Sequence, residues 1–193
     1  MNEEPVGKPR SIALLGMELS LGFLKGILLV VLLALVFRML IIQPFVVIGR
    51  SMEPNFHDRD YLVIDKLTYR FRAPKRGEVI IFHPKPTPQE SYIKRIVGLP
   101  GETVEVKSGK VFINDKSLSE NYTLSDTSVP LNRDYPKTRL GTEEYFVFGD
   151  NRDHSSDSRE IGAVPRVNIQ GRVAIVLLPI KNFKLPYVPS FGF

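Results

Sequence analysis

The sequence predicts a mainly β fold: an antiparallel β-sheet domain carrying a small inserted β subdomain, preceded by one N-terminal transmembrane helix. Three observations carry this. Apolar residues crowd into one block, Leu19–Ile42, interrupted only by Ser20, Lys25 and Arg38 among its polar positions. Beyond Pro44 come short runs rich in Val, Ile, Tyr and Phe, punctuated by Gly, Pro, Asn and Asp, which is the pattern of an all-β domain. One hairpin closes by arithmetic. With Ser108-Gly109 as a two-residue turn, Val106 faces Val111 and Val104 faces Ile113, so four apolar side chains share one face.

The elements follow in chain order. Residues 1–17 read as a cytoplasmic tail without fixed structure, since Met1–Arg10 is polar and holds Pro5 and Pro9. Residues 18–43 read as the anchor. The apolar span of about 24 residues would reach about 36 Å as a helix, against a bilayer core of about 30 Å. Lys25 and Arg38 lie near its ends, where long stems reach the interface. The uninterrupted core, Gly26–Phe37, also suits the apolar region of a cleaved signal peptide. The flank Arg38-Met39-Leu40-Ile41-Ile42-Gln43-Pro44 offers no small-residue cleavage site, however, and favours an uncleaved anchor. A buried helix of a soluble protein would carry a polar face, which this span lacks. Basic residues fall almost evenly on both sides (Lys8, Arg10 and Lys25 against Arg38, Arg50 and Arg59), so charge bias alone sets no orientation.

Pro44 ends the helix, because it lacks an N–H and biases its predecessor away from the helical region. Strands are expected at Phe45–Ile48, Tyr61–Ile64, Glu78–Phe82, Tyr92–Val97, Thr103–Lys107, Lys110–Ile113, Glu144–Phe148 and Arg172–Leu178. The stretch Ser117–Leu140 is polar, contains Pro130 and Pro136, and reads as a long excursion or part of a smaller subdomain. The expected division is therefore residues 44–193 as the main domain, with about 103–142 as the inserted β region. No repeats and no further periodic helix are found.

Composition narrows the chemistry. The chain has 193 residues, 43% hydrophobic and 24% charged, with a net charge of +5, as expected of one modest domain. Its basic residues are dispersed, so solvated faces are expected rather than a nucleic-acid partner. The absence of cysteine excludes disulfides, thiolate metal sites and a cysteine nucleophile. There is no His-Glu-x-x-His, and neither a metal nor a cofactor is expected.

Three segments carry possible chemistry, each with a plain reading beside the functional one. Gly49-Arg50-Ser51-Met52-Glu53-Pro54 follows the first strand, where a serine between Gly and Pro is commonly a turn residue. Tyr92-Ile93-Lys94-Arg95-Ile96-Val97-Gly98-Leu99-Pro100-Gly101-Glu102 alternates as a strand, where a lysine ordinarily points at water. Phe148-Gly149-Asp150-Asn151-Arg152-Asp153-His154-Ser155-Ser156-Asp157-Ser158-Arg159 is rich in residues that form self-bonded turns or cation sites.

In this order, behind an apolar helix, the three segments resemble the characteristic boxes of type I signal peptidases, the bacterial leader peptidases. The resemblance runs from the anchor through Gly171-Arg172, including Asp60–Asp65 and Arg76–Phe82; the tail and Ser117–Leu140 fall outside it. It implies a membrane-bound serine endopeptidase that removes N-terminal signal peptides from exported preproteins. Ser51 would be the nucleophile and Lys94 the general base. Ser155 would orient the lysine amine, and Asp157 and Arg159 would brace the site. Phe45, Val47, Gly49, Met52, Phe56, Tyr92 and Ile93 match substrate-binding positions of the family. Their bulk implies shallow pockets that admit alanine at the first and third residues before the cut. Ser51 N–H is one oxyanion donor. Where some members place a serine two residues before the nucleophile, this chain has Gly49, leaving a backbone group or water as the second donor. Implied partners are preprotein signal peptides, the lipid bilayer and the protein-export machinery. The implied location is the cell membrane, single-pass, with the catalytic domain on the extracytoplasmic side.

A Ser-His-Asp hydrolase would draw on His57, His83 or His154, but no Gly-x-Ser-x-Gly elbow or triad motif accompanies them. A Ser/Lys repressor peptidase should carry a DNA-binding helical domain in place of the anchor. A membrane-anchored β-rich binding module and a catalytically inactive homologue are the alternatives of a different class.

Overall fold

A computed structural model describes residues 22–33, 35, 42–85, 87–123 and 134–191. The chain divides into two units, Met1–Leu40 and Ile41–Phe193. In the first, residues 22–33 and 35 are helical, with Phe23, Leu24 and Leu28 exposed. Among the described residues no helix is long and apolar enough to cross a membrane. The expected tail over 1–17 lies outside the described residues, as do several positions of the expected 18–43 anchor. Two positions at the anchor's C-terminal end correct that expectation. Ile42 and Gln43 begin a strand instead of ending a helix, because Ile42–Val46 pairs antiparallel with Tyr61–Asp65.

The described residues of the second unit form eleven strands: β1 Ile42–Val46, β2 Tyr61–Asp65, β3 Val79–Phe82, β4 Tyr92–Gly98, β5 Thr103–Lys107, β6 Lys110–Ile113, β7 Lys116–Ser117, β8 Tyr135–Arg139, β9 Glu144–Phe148, β10 Val164–Pro165 and β11 Ile169–Leu178. They form a seven-stranded sheet, β1-β2-β11-β3-β4-β9-β10, and a four-stranded sheet, β7-β6-β5-β8. Every pairing is antiparallel. Short helical turns at Thr68–Phe71 and Ser158–Ile161 complete the frame.

The hairpin arithmetic holds: Val106 pairs with Val111 and Val104 with Ile113. Ser108 and Gly109 take φ of 49° and 76°, the left-handed values that a two-residue turn needs to match strand twist. The four apolar side chains are buried together with Val97, Phe146 and Phe148, which joins the small sheet to β4 and β9.

Strand β3 is buried throughout, because both faces of the large sheet are covered. Val79 and Ile81 pack with Met52, Phe56, Leu62, Ile64 and Ile93. Ile80 and Phe82 pack on the other face with Tyr69, Ile96 and Val147. Strand β11 bridges β2 and β3, and it does so at close range. A Cβ on Gly171 would lie 2.6 Å from the Asp65 carbonyl oxygen.

Candidate active site

Strand β1 leads into the first of the quoted segments. The Val47 N–H donates to the Asp60 carbonyl and the Arg59 N–H to the Val47 carbonyl, which carries the β1–β2 pairing beyond the strand. Gly49 then turns the chain at φ 94°, a value that favours glycine. Its N–H donates to Asp58 Oδ1 at 2.8 Å, so this group is already engaged and does not point to the site. Asn55 N–H and Phe56 N–H both donate to the Met52 carbonyl. Met52 and Phe56 are buried in the core beneath, fixing the loop that presents Ser51.

Strand β4 brings Lys94 to that loop. Lys94 Nζ donates to Ser51 Oγ at 2.8 Å and to the Ile93 carbonyl at 2.9 Å. The register places Lys94 across from Ile80, and its Nζ lies 5.4 Å from the Tyr92 ring centroid. Only 4% of the residue is exposed, in contrast to a strand lysine facing water. Burial pushes the amine down to about 8, against an opposing pull from Asp157 and Asp150. That shift from 10.5 corresponds to about 3 kcal/mol favouring the neutral form.

The third segment closes over the second. Asn151 N–H donates to the Ser51 carbonyl at 3.0 Å, and Asn151 Nδ2 to the Arg50 carbonyl at 3.2 Å. Gly149 is required by close approach: a Cβ there would fall 2.3 Å from Ser155 Oγ and 2.5 Å from the Ser51 carbonyl oxygen. Ser155 is therefore buried against Gly149, beside the Ser51 loop. Asp157 accepts from the Gly149 N–H at 3.1 Å and from Arg159 Nε and Nη2 at 2.8 Å each. Arg159 Nη2 also reaches the Arg152 carbonyl at 2.7 Å, so the pair ties both ends of the segment together.

A groove of about 590 Å³ opens beside these groups, lined by Phe45, Val46, Ile48, Ser51, Glu90, Ser91, Tyr92, Ile93, Lys94 and Ser156. Among the residues expected to bind substrate, Phe45, Tyr92 and Ile93 line it. Val47, Met52 and Phe56 lie in the core, and Gly49 is not among the lining residues.

The family model described as signal peptidase, peptidase S26, matches residues 20–178. The chain belongs to the signal peptidase family. It is 38% identical over 176 residues to a signal peptidase I of Leptolyngbya laminosa, covering 87% of this chain and 85% of that protein. It is 36% identical over 172 residues to a probable signal peptidase I-2 of a Synechocystis species, with 86% and 76% covered. A signal peptidase I of Bacillus amyloliquefaciens is 33% identical over 171 residues, with 85% and 91% covered.

Several residues that hold this signal-peptidase site escaped the sequence reading. Arg95 donates from Nε and Nη2 to both Asp150 oxygens at 2.8 and 2.6 Å. Asp150 also accepts from Asn55 Nδ2 at 2.9 Å, linking β4, the Ser51 loop and the third segment through one buried carboxylate. Arg152, itself buried, pairs with Glu120. A signal for Arg95 was present: strand alternation puts it on the face of apolar Ile93 and Val97, where a guanidinium needs a carboxylate partner. His57, His83 and His154 are not among the groove-lining residues.

Proposed function

We propose that this member of the signal peptidase family is a membrane-anchored serine endopeptidase that removes N-terminal signal peptides from exported preproteins. Ser51 is the nucleophile and Lys94 the general base. The observation that carries the reading is the 2.8 Å contact between Lys94 Nζ and Ser51 Oγ, made by an amine held near 8. About one such amine in ten is neutral at pH 7, far more than for an ordinary lysine. The neutral amine accepts the Ser51 hydroxyl proton across the same contact as Oγ attacks the scissile carbonyl. The resulting ammonium returns the proton to the leaving amine, leaving an acyl-enzyme ester. Lys94 then deprotonates the water that hydrolyses this ester.

The Ser51 N–H serves as one oxyanion donor. Gly49 brings no side chain and its N–H is already spent on Asp58, so the second donor is another backbone group or water. Ser155 orients the lysine amine, and Asp157 with Arg159 holds the segment that carries Ser155. The preprotein lies extended beside the Phe45–Gly49 stretch, adding to the open edge of the sheet by backbone hydrogen bonds. Phe45, Tyr92 and Ile93 wall the pockets for the residues before the cut, and their bulk selects alanine. In this reading the apolar residues that precede β1 are the membrane anchor, and the peptidase works at the extracytoplasmic face of the cell membrane, where the export machinery delivers its substrates.

A serine-directed acylating inhibitor provides the test. Mass spectrometry should find the adduct on Ser51, with labelling lost in Ser51→Ala. Equal labelling of the variant would remove Ser51 from the chemistry, and no labelling of the wild type would favour a binding module or inactive homologue.

A further inference from the structure

Part of the groove wall is polar and precedes β4 in the chain. Glu90 lines it, two residues before β4 begins at Tyr92 and four positions before Lys94. At about 3.3 Å per extended residue, four positions span at most roughly 13 Å, the length of about four substrate residues. The rim is built rather than loose. The Glu90 carbonyl is met by His83 Nδ1 at 2.7 Å, and the Glu90 N–H donates to the Thr87 carbonyl at 3.0 Å. Gln170 Nε2 donates to the neighbouring Ser91 Oγ at 3.1 Å and lies 2.6 Å from His83 Nε2. Among the described residues no ion pair or hydrogen bond engages the Glu90 carboxylate. The other charged side chain in the lining, Lys94, lies beside Ser51, four positions further along the chain. Glu90 is therefore the charge that an extended peptide meets in this groove beyond Lys94.

We infer that Glu90 is a specificity-determining residue, favouring a basic side chain at the fourth or fifth substrate residue before the cut and disfavouring an acidic one. The inference rests on the peptidase reading above and adds a charge preference to it. A contact at a solvated rim changes kcat/KM modestly, by about two- to fivefold. It is also sensitive to salt, because the screening length falls to about 3 Å at 1 M.

The test uses the full chain in detergent and three preprotein peptides that differ only at those two positions, carrying Lys, Gln or Glu. Within the wild type, kcat/KM should fall in the order Lys, Gln, Glu, and the differences should vanish in 1 M NaCl. Glu90→Gln should flatten the ratios to about one, and Glu90→Lys should reverse their order. Cleavage of all three peptides at one rate by the wild type, or an unchanged order in Glu90→Lys, would overturn the assignment while leaving the peptidase reading intact. Failure of the wild type to cut even the Gln peptide would overturn both.

Discussion

Burial of Lys94 has two consequences, one for rate and one for stability. In the proposed mechanism the active form is deprotonated, so kcat/KM should rise about tenfold per pH unit below about 8 and level off above it, as initial rates across a buffer series will report. Lys94→Arg should be inactive at every working pH, since a guanidinium stays protonated. For stability, the unfolded lysine holds its proton up to its ordinary 10.5 and the folded one only up to about 8. The unfolded state therefore binds more protons between those values. Lys94's share of the unfolding free energy should rise by about 3 kcal/mol as pH increases through that window. Below pH 8 the full penalty applies, so Lys94→Met should raise the denaturant midpoint at pH 7 while abolishing cleavage, a trade of activity for stability. No gain in stability would mean that the amine is better solvated than its 4% exposure implies. Gly149→Ala should displace Ser155 or the Ser51 carbonyl, because the new methyl has no room. We expect at least a tenfold loss of kcat/KM, measured on a protein whose circular dichroism confirms the fold.

At the scale of elements, strands β2, β5, β6 and β9 were legible because their apolar residues face covered surfaces and their turns use permissive residues. What stayed hidden was the rim of each sheet. β1, β8 and β10 are edge strands and contain Pro44, Pro136 and Pro165 respectively, while the remaining edge, β7, has two residues. A proline costs an edge strand no essential ladder bond and guards it against pairing with another chain. Read from sequence, the same prolines look like breakers. The start of β1 therefore reads as a helix end, and β8 as part of an excursion. In the site, Ser51 and Lys94 were named through the resemblance, whereas Arg95 and Asp150 were passed over because their pairing spans 55 positions. That pair supplies an element-scale prediction. Arg95→Met would leave Asp150 buried without its cation, at a cost of about 3–5 kcal/mol. Arg95→Met with Asp150→Leu should recover part of that, as urea midpoints will show. Equal destabilisation by the single and double variants would mean that the pair matters only through packing.

For the whole molecule, every group proposed for the chemistry lies in the unit that begins at Ile41. Removing residues 1–40 keeps β1 intact and should leave a folded β domain that cuts soluble peptides. Exposed Ile48, Ile180, Phe183 and Leu185 should make it dependent on detergent. A truncated domain that folds but never cuts would place part of the active site in the first unit. The central claim is that Ser51, activated by Lys94, cleaves a preprotein after an Ala-x-Ala sequence. The direct measurement incubates the full chain in detergent with such a preprotein and reads the new N-terminus by mass spectrometry, for wild type, Ser51→Ala and Lys94→Arg. The account predicts one new N-terminus, immediately after the second alanine, made by the wild type and by neither variant. The same product at comparable rate from either variant would contradict it.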